Sequence, residues 1–287
     1  MPTKPKTIRP PRRSRPATKA ARAPARGREA APGAGHAQAL SRGLALLEAL
    51  ARTEGGATLT AVSERISLPT PTAHRLLATL EQAGYVQQGD GGEWLIGVRA
   101  FQVGSAFLDH RNLFAQAYPH LKRLMESSGE TTNLAVIDGD DAVFVAQVQC
   151  RELMRMISKL GARAPLHASG VGKAMLAAMP AAPAQALIAR SGLERHTART
   201  LTDAKQLAAE LAVTRERGYS FDDEEHADGL RCVAAVIWNE NGEPWAAVSI
   251  AGPTSRLPLE RIEKLGQLVR SVAADITAAL GGHPPRR

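Results

Sequence analysis

The chain has 287 residues, 44% of them hydrophobic, with a net charge of +8; this length favours about two domains, and the apolar share lets each bury a core. No apolar run approaches the ~20 residues that cross a bilayer. The N-terminus lacks a signal-peptide stretch, and Cys150 and Cys232 lie far apart without CxxC spacing, so a reducing, cytoplasmic protein with no membrane partner is expected.

The charge is concentrated. Residues 1–36 hold ten Lys/Arg against one acid, Glu29, while the other 251 residues hold twenty-six basic and twenty-seven acidic side chains. With Pro, Ala and Arg dominating and almost no large apolar residue, 1–36 is expected to be a disordered basic arm. It either adds salt-dependent, sequence-independent attraction to phosphates or simply solubilises the chain.

Ala37 to Ala51 is predicted as a helix with Leu40, Leu44, Leu46, Leu47 and Leu50 as its apolar set. Leu59, Val62 and Ile66 recur at spacings of three and four, which marks a short second helix. Pro69 lacks an N–H and breaks it. Thr70 is expected to cap a third helix with Pro71 at its first position, and its apolar positions Ala73, Leu76, Leu77, Leu80 and Ala83 share one face. Two short helices joined by a brief turn, Leu59 to Ala78, read as a helix-turn-helix. Tyr85 to Gln88, a glycine-rich turn and Glu93 to Ile96 then read as a hairpin, which makes 37–96 a winged helix. A pair of helices in some other core is the plainer reading, and the hairpin disfavours it. The start of the third helix would enter the major groove, presenting Thr70, Thr72, His74 and Arg75 to phosphates or base edges. A satisfied surface histidine is as consistent for His74. Gln87 and Gln88 on the wing face either DNA or only solvent.

Gly97 to His110 is predicted helical and apolar on two sides, Val98, Phe101, Ser105 and Leu108 on one and Ala100, Val103, Gly104 and Phe107 on the other. A linker helix over 97–113 that packs against a second copy is expected, with one more core helix as the alternative. From Phe114 helices and strands mix: a helix to Ser127 with Ala115, Tyr118, Leu121 and Leu124 inward, strands at 132–137, 142–148 and 153–157, a helix capped by Ser169, helices at 183–189 and 202–217, an acidic run from Asp222 to His226, a hairpin from Arg231 to Ala251, and a long helix from Leu259 to Leu280. The expected class is α+β on an antiparallel sheet, over 114–282, with 283–287 a tail.

Four runs then carry a resemblance: LPTPTAHRLLATLEQAGYV (68–86), PLHASGVGKAMLA (165–177), RGYSFDDEEHADGLRCVAA (217–235) and AAVSIAGPTSRL (246–257). In this order and register they resemble the IclR family of bacterial transcription regulators over about 37–282. Runs 147–156 and 220–232 are most similar to members governing acetate use through the glyoxylate bypass; members governing allantoin catabolism are the alternative. The resemblance implies a repressor, with an activator as the alternative, built from an N-terminal winged helix and a GAF-like effector domain. It also implies homodimers that can pair into dimers of dimers on palindromic duplex DNA, glyoxylate or pyruvate as effector, and neither cofactor nor metal. It places effector contacts on Gly170, Val171, Asp222, Cys232 and Ser249. Chemistry agrees for most: backbone N–H groups at a helix start suit a carboxylate, Gly170 permits close approach, and Ser249 adds a donor. Asp222 either sits protonated or accepts from a hydrated aldehyde; Cys232 either packs or adds reversibly to an aldehyde. Where the family's founding member has a serine, this chain has Ala251, which leaves the ligand's identity open. The remaining alternative is an enzyme acting on a keto acid, with Asp222, Asp223, Glu224, His226 and Cys232 as a metal site or Cys/His pair. Adjacent Asp222 and Asp223 on an extended segment would face opposite ways, which argues against it.

Overall fold

The computed structural model describes residues 37–109, 113–156 and 158–285, so the basic arm expected over 1–36 lies outside the described residues. The chain divides into two compact units, the first running to Val98 and the second starting at Arg99.

The first unit contains α1 (Gln38–Ala51), α2 (Leu59–Arg65), α3 (Thr70–Gln82), β1 (Val86–Gln88) and β2 (Trp94–Ile96). The strands pair antiparallel, and Ala57 makes a further bridge to Trp94. Leu46, Leu50, Val62, Ala73, Leu77, Val86 and Trp94 form the core. Trp94 is 2% exposed, so the wing is clamped to the helices by one large aromatic. Thr58 caps α2 by accepting from the Ala61 N–H. Contrary to expectation, Thr70 is not a cap: Pro69 is extended (ψ 130°) and takes that place, so Thr70 is the first helical residue. The fixed proline φ starts the turn without a side-chain acceptor.

α4 (Val98–Asp109) begins at the junction of the units, and Val98, Phe101 and Val103 are exposed on it. In the second unit, a six-stranded antiparallel sheet runs in the order β5 (Arg163–Pro165), β4 (Asp141–Val148), β3 (Thr131–Asp138), β8 (Pro244–Pro253), β7 (Leu230–Trp238), β6 (Ser220–Asp223). α5 (Leu113–Ser128) and α9 (Leu259–Ala279) cover one face. α6 (Gly170–Ala178), α7 (Ala181–Ser191) and α8 (Ala204–Arg217) cover the other.

Two expectations fail here. Ala115 and Tyr118 point outward, and the buried stripe of α5 is Leu113, Ala117, Leu121 and Leu124; the true spacing back from Leu121 is four, not three. Residues 153–156 form no strand: Leu153 and Met154 are 99% and 70% exposed, and the edge pairing goes to β5 instead. An apolar run with no strand to pair against stays in a loop.

α6 lies close on the residue that follows β5. A Cβ on Gly172 would stand 2.3 Å from the Leu166 carbonyl oxygen and 2.4 Å from its Cα. Gly172→Ala must therefore push α6 off backbone atoms. It should cost about 1–3 kcal/mol or more, read as a lowered melting temperature of the C-terminal unit.

Candidate functional site

The outer face of α3 is the first site. Thr70, His74 and Arg75 are exposed at its N-terminal half and Thr72 is half-buried, while Ala73 and Leu77 point into the core. Gln87 and Gln88 are exposed on β1. Thus the helix tip offers two hydroxyls, an imidazole and a guanidinium outside its buried stripe. Arg65, by contrast, is engaged with the Ala49 carbonyl and the Thr53 hydroxyl.

The second site lies where α6 begins above the sheet. Ser169 caps α6, its hydroxyl oxygen accepting from the Gly172 N–H at 3.2 Å. Cross-strand register lays two polar rows beneath. One runs Gln147, Asn133, Ser249, Ala234, Ser220; the other runs Thr131, Ala251, Cys232, Asp222. Farther along the same face, Ala135, Phe144 and Ala247 pack with Val171, Ala174 and Met175 of α6, so the polar rows face the start of that helix. Gly170 is held against the sheet: a Cβ there would stand 2.7 Å from the Cys232 sulfur, and the Ser220 hydroxyl donates to the Gly170 carbonyl at 2.6 Å. The five residues the sequence singled out, Gly170, Val171, Asp222, Cys232 and Ser249, are thereby gathered and all buried. Two clefts elsewhere in this unit, of about 700 and 170 Å³, contain none of them.

Asp222 is 2% exposed. Burial, reinforced by the neighbouring Glu225 carboxylate, pushes its carboxyl up to about 7. Lys173 and the N–H groups of Glu225 and His226, which donate to Asp222 at 2.7 and 3.4 Å, oppose this. Asp223, next along β6, faces the other way and pairs with Arg199 and Arg231 at 2.6 Å each. Burial likewise pushes the Cys232 thiol up to about 12. A thiol so held is neutral and a poor nucleophile, which favours packing over covalent addition. Among the described residues, no three His, Cys, Asp or Glu side chains gather in an arrangement fit for a metal ion.

Sequence reasoning missed Lys173. It is fully buried, its ammonium donating to the Phe221 carbonyl and to Glu225, with Glu210 at 3.8 Å. A lone lysine within the apolar run GVGKAMLAA was the available signal, since a charge in such a run must find a partner. Asn133 and Gln147 were read only as strand, and Thr131 was passed over; their polar side chains on an inward face mark them in retrospect.

Because the Asp222 carboxyl sits above its ordinary 3.8, the native state holds a proton that the unfolded chain releases. Its stabilising contribution is full at low pH and is lost as pH rises through about 7. Asp222→Asn, which keeps the acceptor oxygen, should gain in melting temperature relative to wild type between about pH 5 and about pH 8. A constant difference across that range would show an ordinarily solvated carboxyl.

Residues 39–90 match the IclR helix-turn-helix domain, and residues 105–278 match the domain described as bacterial transcriptional regulator IclR C-terminal. The chain is 49% identical over 255 residues to the transcriptional repressor IclR of Escherichia coli (strain K12), covering 88% of this chain and 93% of that one. It is 43% identical over 250 residues to the HTH-type transcriptional repressor AllR of Salmonella typhimurium, covering 87% and 92%. An IclR homolog from Microbacterium hydrocarbonoxydans, solved in complex with 4-hydroxybenzoate, superposes with a TM-score of 0.75 at 26% identity over 84% of this chain and 98% of that one. With both units matched in order, the chain belongs to the IclR family of transcriptional regulators, pairing a DNA-binding helix-turn-helix with a C-terminal effector domain.

Proposed function

We propose that this protein is a repressor of acetate-use genes of the glyoxylate bypass type, whose grip on a palindromic operator is set by a small 2-oxo acid. In this reading 37–96 binds DNA, 97–113 links, 114–282 senses the effector, and the basic arm 1–36 adds phosphate attraction. The observation that carries it is the start of α6, whose N–H groups open onto a buried polar patch containing no arginine. A helix start favours a carboxylate without a counter-charge. Gly170 and Val171 hold the acid group, Ser249 donates to it or to the keto oxygen, Cys232 packs, and Asp222 contacts the aldehyde end. Held near neutral protonation, Asp222 either donates as an acid or accepts from the hydroxyls of hydrated glyoxylate; pyruvate hydrates far less. The protein works in the cytoplasm without cofactor, metal or catalysis. A regulator of allantoin or another small-acid pathway is the second reading, favoured by the 43% identity to AllR.

On DNA, Thr70, Thr72, His74 and Arg75 read one half-site and Gln87 lies along the backbone. Exposed Val98, Phe101 and Val103 on α4 form the seam of a homodimer that presents two such tips; two dimers can pair on longer sites.

Footprinting on the protein's own upstream region should show a protected palindrome whose occupancy changes with glyoxylate. Arg75→Ala should weaken that site by about 1–3 kcal/mol, or roughly ten- to a hundredfold. No preference for any palindrome over random duplex at physiological salt would reject the proposal. Ala251 stands between Cys232 and Thr131 in its row, so Ala251→Ser restores one hydroxyl to the pocket floor. It should tighten glyoxylate about severalfold by calorimetry, and an unchanged constant would place that position away from the ligand.

A further inference from the structure

Ser249 is fully buried, and a buried hydroxyl is useful to an anion only if its hydrogen points at the ligand. What fixes that direction is visible in a chain of four hydrogen bonds. Arg155, on the loop after β4, donates through Nε to Gln149 Oε1 at 3.1 Å. Gln149 Nε2 donates to Gln147 Oε1 at 3.1 Å. Gln147 Nε2 donates to Asn133 Oδ1 at 2.8 Å. Asn133 Nδ2 donates to Ser249 Oγ at 3.3 Å.

An amide can be turned either way, so a run of amides alone has no inherent direction. A guanidinium has donors and no acceptor. Placing Arg155 at the head therefore orients every amide after it: each oxygen faces back toward Arg155 and each NH₂ faces the pocket. At the far end Ser249 receives a hydrogen bond, and its own hydrogen is left to point onward. There it meets the Cys232 thiol, a weak acceptor that a carboxylate or keto oxygen readily displaces. Aligned bonds of this kind also polarise one another, which strengthens the last donor.

We propose that Arg155, Gln149, Gln147 and Asn133 are positioning residues that set Ser249 as an obligate hydrogen-bond donor toward the effector. The pocket thereby selects ligands that present an acceptor oxygen to Ser249. The same relay ties pocket occupancy to the loop that carries exposed Leu153 and Met154. This rests on the placement of Ser249 in the effector site proposed above.

A double-mutant cycle on the full-length protein tests it, with sodium glyoxylate as the probe in calorimetry. Arg155→Met keeps the aliphatic stem and removes the donor; it should weaken glyoxylate about three- to tenfold. Arg155→Lys, still a pure donor, should restore most of that loss. In a Ser249→Ala background, Arg155→Met should then have almost no further effect, because its action passes through the missing hydroxyl. Equal losses in both backgrounds would mean that Arg155 attracts the anion at long range, and the relay would be wrong. So would an unchanged affinity in Arg155→Met. If instead Ser249→Ala alone leaves glyoxylate binding intact, Ser249 lies outside the effector site and the reading beneath the relay falls too.

Discussion

The close seating of α6 on the sheet is the constraint on which the C-terminal unit depends. Gly172 rests on the Leu166 backbone and Gly170 on the Cys232 side chain, and neither position has room for a Cβ. Lys173, the next residue, is buried at the Phe221 carbonyl and Glu225. Removing either partner of such a pair leaves an uncompensated interior charge, a change far costlier than the net worth of the bond. The helix is thus fixed in height and rotation, and its first N–H groups face the polar rows of the sheet. Were it free to slide, those N–H groups would lose their place above the polar rows.

Register does the complementary work from below. Antiparallel pairing puts Asn133, Ser249 and Ala234 side by side, with Thr131, Ala251 and Cys232 in the next row. Toward the other end of the face, Ala135, Ala247 and Phe144 meet the apolar flank of α6. One side of a single sheet is therefore greasy under the middle of the helix and polar under its tip. The buried acid Asp222 is tolerated there because Glu225 and His226 donate backbone N–H groups to it and because it can hold a proton near neutrality.

The DNA-binding unit is built on a different economy of parts. Its core is small, and Trp94 anchors a two-stranded wing that would be marginal alone. The helices spend their apolar faces on that core, which leaves the polar side of α3 outward. Family membership and this geometry point the same way: a DNA-binding helix-turn-helix and an effector domain on one chain.

Much of this was legible in the chain. Spacings of three and four marked α2, and apolar sets on one face marked α1 and α3; a glycine-rich turn between short apolar runs marked the wing; Ser169 before two glycines marked the start of α6. These are local signals, because helix period, strand alternation and capping act within a few residues. The inward face of α5 and the loop at 153–156 were misread for the same reason: which of two similar stripes is buried, and whether an apolar run finds a strand, depends on partners far away in sequence. The identity of Lys173 as an interior charge, the rows that bring residue 133 beside 249 and 222 beside 232, and the direction of the amide chain ending on Ser249 belong to tertiary structure alone. They arise from a contact across more than a hundred residues in one case, from the packing of α6 against Phe221 and Glu225 for Lys173, and from the sheet register in the rest, none of which a local periodicity encodes.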